Sequence, residues 1–136
     1  MKNLILFFLI NSIVFIIFGY IGLEINVFIV TILIILIPIT LNSTLLFLMK
    51  QHISLSLIFI ISCIITVCYY FYSLYIMNLP GYKKYIENSS FKNGDFQIDV
   101  QFDMTSYSQL ITNFSLYFIT LFIVKVLLIN RRSKHA

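Results

Sequence analysis

Three aspartates in one short segment are the residues whose type and spacing come nearest to a chemical site. Asp95, Asp99 and Asp103 recur every four residues, and hard cations such as Ca²⁺ take carboxylate oxygens as ligands. An EF-hand loop needs closer ligands, a central glycine and a terminal glutamate, and this spacing does not match it. The segment therefore favours a solvated acidic face, and we expect no metal and no cofactor.

The two cysteines offer no second site. Cys63 and Cys68 lie in one apolar run, where a five-residue spacing on a helix places them about 140° apart around the axis. They cannot form a local disulfide or share a metal, so packing as small apolar side chains is favoured. The sequence also contains no nucleophile–base set or phosphate-binding glycine loop, and we therefore expect no enzymatic activity.

The elements that carry these residues are mostly apolar. A hydrocarbon core about 30 Å thick needs about 20 apolar residues in a helix, and 60% of the residues here are hydrophobic against 10% charged. We predict an all-α membrane protein, a single integral domain over residues 1–136 with an outer loop at about 80–109. The predicted spans are about Leu4–Leu23, Ile25–Met49, Ile53–Leu79 and Leu110–Asn130.

The basic residues predict the orientation of these spans. If Lys125 extends toward the tail, six of the nine Lys and Arg residues lie on the side that holds both termini, and three lie in the long loop. Cytoplasmic loops carry an excess of Lys and Arg, so both termini are predicted to be cytoplasmic in a multi-pass cell-membrane protein.

Polar residues inside the spans indicate contacts between helices. Asn11 and Ser12 lie near the centre of the first span, where a hydrogen bond to another helix would offset the cost of burying them in lipid. Such residues are most often packing contacts and imply no ligand. Pro38 lacks a backbone N–H and predicts a kink in the second span, where nearby polar residues could satisfy the freed carbonyls. A transport site at such a kink is the less favoured hypothesis. The nearby polar residues are Thr40, Asn42, Ser43 and Thr44.

The end of the third span is aromatic. Its five aromatic residues are typical of an interfacial belt at the outer membrane face. They are Tyr69, Tyr70, Phe71, Tyr72 and Tyr75. For the two deepest tyrosines, Tyr69 and Tyr70, the alternative is hydrogen bonding inside the bundle. Their predicted partners in that case are Asn113 or Ser115 on the fourth span.

The long loop contains one strictly alternating segment, Asp95–Met104, which predicts a strand with one apolar face. The turn dipeptide Asn93-Gly94 could pair it with Glu87–Lys92 as a short β-hairpin. The apolar face would need cover from the bilayer interface or from a partner protein. Together with Tyr69 and Tyr70 it is our predicted coupling and recognition surface, formed on this face by Phe96, Ile98, Val100 and Phe102.

Several short segments of the chain carry a resemblance to a known family. They include Met1-Lys2, Leu4-Ile5-Leu6, Asn11, Val14-Phe15, Ile21-Gly22-Leu23, Ile25-Asn26, Ile37-Pro38-Ile39, Tyr69-Tyr70, Tyr72, Met77, Leu79-Pro80 and Tyr85-Ile86. In these segments the chain resembles the Msa family, named for the staphylococcal modulator of SarA. The resemblance implies a multi-pass membrane protein that acts as an accessory element in expression of the SarA regulator and of virulence factors. It supplies no catalytic or ligand-binding residue for this chain.

Two functional hypotheses follow. The first is a sensor or signal-relay element that affects transcription indirectly, since the six-residue tail Arg131–Ala136 is too short to read DNA and no direct nucleic-acid binding is expected. The second is a structural or protective protein, an immunity-type or assembly factor that binds a partner in the bilayer. The expected partners are the bilayer and an unidentified membrane or cytoplasmic protein, and the oligomeric state is left open.

Overall fold

The computed structural model describes residues 2–49, 53–89, 91–93, 96–98 and 104–133. Within these ranges, four helices are long and apolar enough to cross a membrane, and a fifth is short. The chain is therefore an α-helical membrane protein, and its long helices correspond to the four predicted spans. The elements are α1 Lys2–Ile21, α2 Val27–Leu48, α3 Leu55–Met77, α4 Tyr82–Ser89, β1 Phe91–Asn93, β2 Phe96–Ile98 and α5 Tyr107–Ser133.

Capping side chains place the helix starts differently from the hydropathy pattern. The side chain of Asn26 accepts a hydrogen bond from the N–H of Phe28 (2.9 Å), and Ser54 accepts one from Leu57 (3.1 Å). A capping residue lies outside the helix, so α2 and α3 each begin two residues later than the apolar runs that predicted them. The last helix begins three residues earlier than predicted, after Ser106.

The four long helices pack as a ring in the order α1, α2, α5, α3, so that each touches its two neighbours. In a bilayer the lipid is as apolar as the side chains, so close packing and hydrogen bonds, rather than exclusion of water, hold such helices together. Many large apolar side chains remain exposed on the outside of the ring, as expected for a surface that faces lipid. Buried apolar residues from all four helices fill its interior, including Phe7, Ile34, Leu46, Ile58, Ile65 and Leu121.

The segment between α3 and α5 differs from its prediction. Residues Glu87 to Ser89 belong to α4, so the predicted pairing strand Glu87–Lys92 was wrong over its first half. The short helix is amphipathic, and it packs on α2. Its Tyr82 and Tyr85 are half-buried and its Lys83 is exposed.

The strands in this segment are short. β1 and β2 contain three residues each and pair antiparallel, with Phe91 opposite Ile98 and Asn93 opposite Phe96. Met104 lies in a turn, so the predicted strand Asp95–Met104 does not extend to its end. Val100 and Phe102, two of the predicted recognition residues, lie outside the described residues.

Candidate functional site

Two buried asparagines join the first two helices, Asn11 from the middle of α1 and Asn42 from the second half of α2. Asn11 donates a hydrogen bond to the side-chain oxygen of Asn42 (3.1 Å), and Asn42 donates one back to the side-chain oxygen of Asn11 (2.9 Å). The remaining N–H groups bond to carbonyls of their own helices, at Phe7 (2.7 Å) and Pro38 (2.6 Å). Both amides therefore use all of their donors. The expected interhelical bond of Asn11 is confirmed.

A second polar contact compensates for the proline in α2. Pro38 has no N–H to bond the carbonyl of Ile34 one turn earlier. The hydroxyl of Tyr117, on α5, donates to that carbonyl oxygen at 3.0 Å, and both side chains are buried. The helix is continuous through Pro38. Of the neighbours predicted to satisfy freed carbonyls, Asn42 bonds Pro38 and Thr40 bonds Ile37.

The paired contacts hold α2 from two sides within about two turns. Asn42 bonds α1, and the Ile34 carbonyl bonds α5, with Pro38 halfway between them along the chain. Several other hydroxyls in the spans, including those of Ser62 and Ser73, instead bond carbonyls of their own helices. The side chains of Asn11, Asn42 and Tyr117, in contrast, form hydrogen bonds from one helix to another.

The aromatic end of α3 divides between the interior and the surface. Tyr69 and Tyr72 are buried, at 2% and 4% exposure, whereas Tyr70 is 37% exposed. The two buried rings cluster with Phe15 and Phe18 of α1, at centroid distances of 5.8 to 6.4 Å. An interfacial belt therefore does not account for Tyr69 and Tyr72, which are core residues.

The predicted bonding of Tyr69 inside the bundle receives support. Its side chain lies beside Asn113 and Gln109 of α5, and all three line a small void together with Thr31 of α2. Tyr70 points elsewhere and makes an edge contact with the ring of Phe71. The structure thus separates the two tyrosines, and only Tyr69 contributes to the interior.

The residues of the predicted recognition surface lie on two elements. Phe96 and Ile98 belong to β2, whereas Tyr69 and Tyr70 belong to α3, with Tyr69 buried between helices. In the described part of the chain, no group of three or more His, Cys, Asp or Glu side chains comes close enough to hold a metal ion. The buried site itself consists of amides and hydroxyls that form hydrogen bonds and pack between the helices.

Comparison with known proteins identifies the family. The chain is 30% identical over 129 residues to Protein msa of Staphylococcus aureus strain bovine RF122 / ET3-1, covering 95% of this chain and 91% of the relative. The chain belongs to the Msa family. It is also 29% identical over 135 residues to Protein msa of strain USA300, covering 99% and 98% of the two chains. No family model and no solved structure matches the chain.

One residue of this Msa-family core, Tyr117, was not among the residues predicted from the sequence. It lies in the middle of an apolar run and is fully buried. Pro38 could have indicated it, because a proline leaves the carbonyl of Ile34 without a backbone donor inside the membrane. A tyrosine too far from either end of its span to reach the headgroups is a candidate for that donor.

Among the described residues outside the spans, the half-buried Tyr85 in α4 has a raised pKa. Burial raises the pKa of its phenol to about 12, and the neighbouring Tyr82 adds a smaller increase. Desolvation disfavours the charged phenolate, so the neutral form is retained wherever α4 is docked.

Proposed function

We propose that this protein is an accessory membrane protein that modulates expression of the SarA regulator and, through it, of virulence factors. The observation that carries the proposal is the similarity to proteins named Protein msa, which extends over nearly the whole chain. In this proposal the protein acts as a sensor or signal-relay element, and it has no catalytic role.

The buried polar contacts suggest how a signal could pass through the bundle. A shift of α2 against its neighbours would stretch the Asn11–Asn42 bonds and the Tyr117–Ile34 bond together, because they lie on one stretch of α2. Packed interiors switch between discrete arrangements rather than deforming continuously. A ligand or partner that binds one arrangement more tightly would therefore shift the equilibrium toward that arrangement.

The proposed orientation is multi-pass with both termini in the cytoplasm. It rests on the placement of the basic residues and places the segment at about 80–109 outside the cell. Reporter fusions after Lys50, at Asn93 and after Lys134 are expected to report inside, outside and inside. An outside signal at the tail would contradict the orientation.

The proposed partner is a protein of the membrane or cytoplasm, without direct contact to nucleic acid. In this orientation the short link near Lys50 and the basic tail Arg131–Ala136 lie in the cytoplasm. Each of these two segments is smaller than a module that reads base pairs. An effect on transcription would then pass through a second protein.

The test compares SarA transcript levels in a deletion strain complemented with different variants at matched protein abundance. Tyr69→Phe removes a hydroxyl from the interior, and Tyr70→Phe is the matched control, because it removes one from a partly exposed ring on the same helix. The relay hypothesis expects a changed transcript level in the deletion strain, restored by wild type and Tyr70→Phe but only partly by Tyr69→Phe.

Two other outcomes separate the hypotheses. Unchanged transcripts in the deletion strain would reject the regulatory role. If such a strain shows a phenotype only when it is challenged with a toxin, the protective alternative is favoured. Full restoration by Tyr69→Phe would reject only a route through that hydroxyl.

A further inference from the structure

A groove of about 410 Å³ runs between α1 and α3 on the outside of the bundle. Phe15 and Tyr72 form part of its wall, at a ring distance of 5.8 Å, and both are largely buried in the aromatic cluster. At its floor the hydroxyl of Ser12 faces the thiol of Cys68 at 3.8 Å. No charged side chain is among the described residues that line it. The groove is therefore a largely apolar surface, and the two polar groups at its floor face each other.

The groove has one apolar end and one polar end. The two helices run in the same direction, because Ser12 lies against Cys68 and Gly19 lies against Tyr75. Phe8 marks the end near the start of α1, and the hydroxyl-bearing rings of Tyr20 and Tyr75 mark the other end. Such a gradient matches an amphiphile whose polar group lies near the membrane surface.

The dimensions of the groove decide which occupant fits. Twelve residues separate Phe8 from Tyr20, which corresponds to about 18 Å along a helix. All the empty space between the lining atoms, about 890 Å³ including the part that opens to the outside, gives a cross-section of about 49 Å² when spread over that length. A helix with side chains is at least about 10 Å wide, or roughly 80 Å² in section. The groove is therefore too narrow for a helix and wide enough for a slender chain.

We propose that this groove binds one acyl chain of a membrane phospholipid. The tail lies toward Phe8 and the polar headgroup lies beside Tyr20 and Tyr75. Lipid is the medium at this depth, so binding gains little from leaving water and depends on close contact with a preformed wall. The buried aromatic cluster supplies that wall. The inference stands apart from the regulatory role proposed above.

The test uses two neighbouring isoleucines with similar exposure. Ile16 lines the groove and is 59% exposed, whereas Ile17 does not line it and is 52% exposed. Wild type, Ile16→Trp and Ile17→Trp are purified in a mild detergent, and native mass spectrometry counts the phospholipids retained per chain. Wild type and Ile17→Trp are expected to retain one phospholipid, and Ile16→Trp at least tenfold less.

Equal retention by all three proteins would overturn the proposal, and so would a wild type that retains none. Chains that pair in wild type but not in Ile16→Trp would also overturn it, because the occupant would then be a second copy. Circular dichroism checks that each variant is folded.

A second pair of variants enlarges the groove instead of filling it, in case Ile16→Trp fails to fold. Phe8→Ala opens the tail end, and Leu9→Ala is the control, since Leu9 is similarly exposed but does not line the groove. The lipids retained by Phe8→Ala are expected to shift to longer acyl chains, whereas those of Leu9→Ala stay as in wild type. An identical chain-length distribution in both variants would contradict the proposal.

Discussion

Replacing the asparagine pair that joins α1 to α2 tests the central feature of the structure. Asn11→Leu and Asn42→Leu each keep a side chain of similar size and remove both interhelical hydrogen bonds, because every bond of the pair needs both residues. In each single variant the other asparagine stays buried. It keeps one hydrogen bond, to the carbonyl of its own helix at Phe7 or Pro38.

The size of the effect follows from the number of bonds. Hydrogen bonds between membrane helices average about 0.6 kcal/mol and reach about 1.7 kcal/mol. Two reciprocal bonds, together with a buried amide that has lost partners, give an expected loss of about 1–3 kcal/mol in either single variant. The double variant leaves no amide unpaired, so it is expected to lose less than the sum of the singles. The expected coupling energy is about 1 kcal/mol.

Unfolding of the purified protein by sodium dodecyl sulfate in mixed micelles, followed by circular dichroism, measures these free energies. Thr120→Val is the control, because the hydroxyl of Thr120 bonds only the carbonyl of Leu116 in its own helix. It is expected to stay within about 0.5 kcal/mol of wild type. Additive losses in the double variant, with no coupling, would refute the reasoning that the two amides act as a pair.

Three further predictions concern other contacts. Tyr117→Phe keeps the ring but leaves the Ile34 carbonyl without its donor, so the free energy of unfolding is expected to fall by about 1–2 kcal/mol in the same micelle assay. Gly22→Ala is expected to destabilise the protein more than Gly19→Ala, as measured by the unfolding midpoint. A methyl group at Gly22 would lie 2.6 Å from a backbone oxygen, whereas at Gly19 it would meet a half-exposed ring at 3.2 Å. Docking of α4 is expected to weaken as pH rises from about 10 to 12, since the free phenol of Tyr85 ionises first in the undocked state. Protease protection of α4 against pH, with Tyr85→Phe as the comparison, checks this, and equal pH profiles would contradict it.

The sequence predicted the long helices because a run of about 20 apolar residues has few alternatives in a bilayer. The ends of these helices were less predictable. Hydropathy does not show that Asn26 and Ser54 cap α2 and α3, because their capping hydrogen bonds depend on the backbone conformation. In the loop, strict alternation predicted a long strand and a partner that begins at Glu87. The α4 helix takes the first part of that partner instead, because its half-buried face packs on α2. Local periodicity carries no information about such tertiary contacts.

The buried site was predictable only in part. Asn11 could be assigned an interhelical bond because an amide at the centre of a span needs a partner. Which helix supplies that partner depends on the order of the ring, which hydropathy does not encode. The roles of Tyr69 and Tyr70 could not be separated either, because both lie in one aromatic run and only the neighbouring helices distinguish the inner face from the outer.

The two interhelical contacts of α2 differ in when they become possible during synthesis. Asn11 and Asn42 both belong to the first two spans, so their bonds need nothing that is made later. The Ile34 carbonyl, in contrast, waits for a hydroxyl 83 residues downstream. A nascent chain that has inserted only α1 and α2 would therefore hold the asparagine bonds while the Ile34 carbonyl still lacks its donor. Insertion of α5 supplies that donor, which makes Tyr117 a marker that distinguishes chains with α5 in the membrane from chains truncated before it.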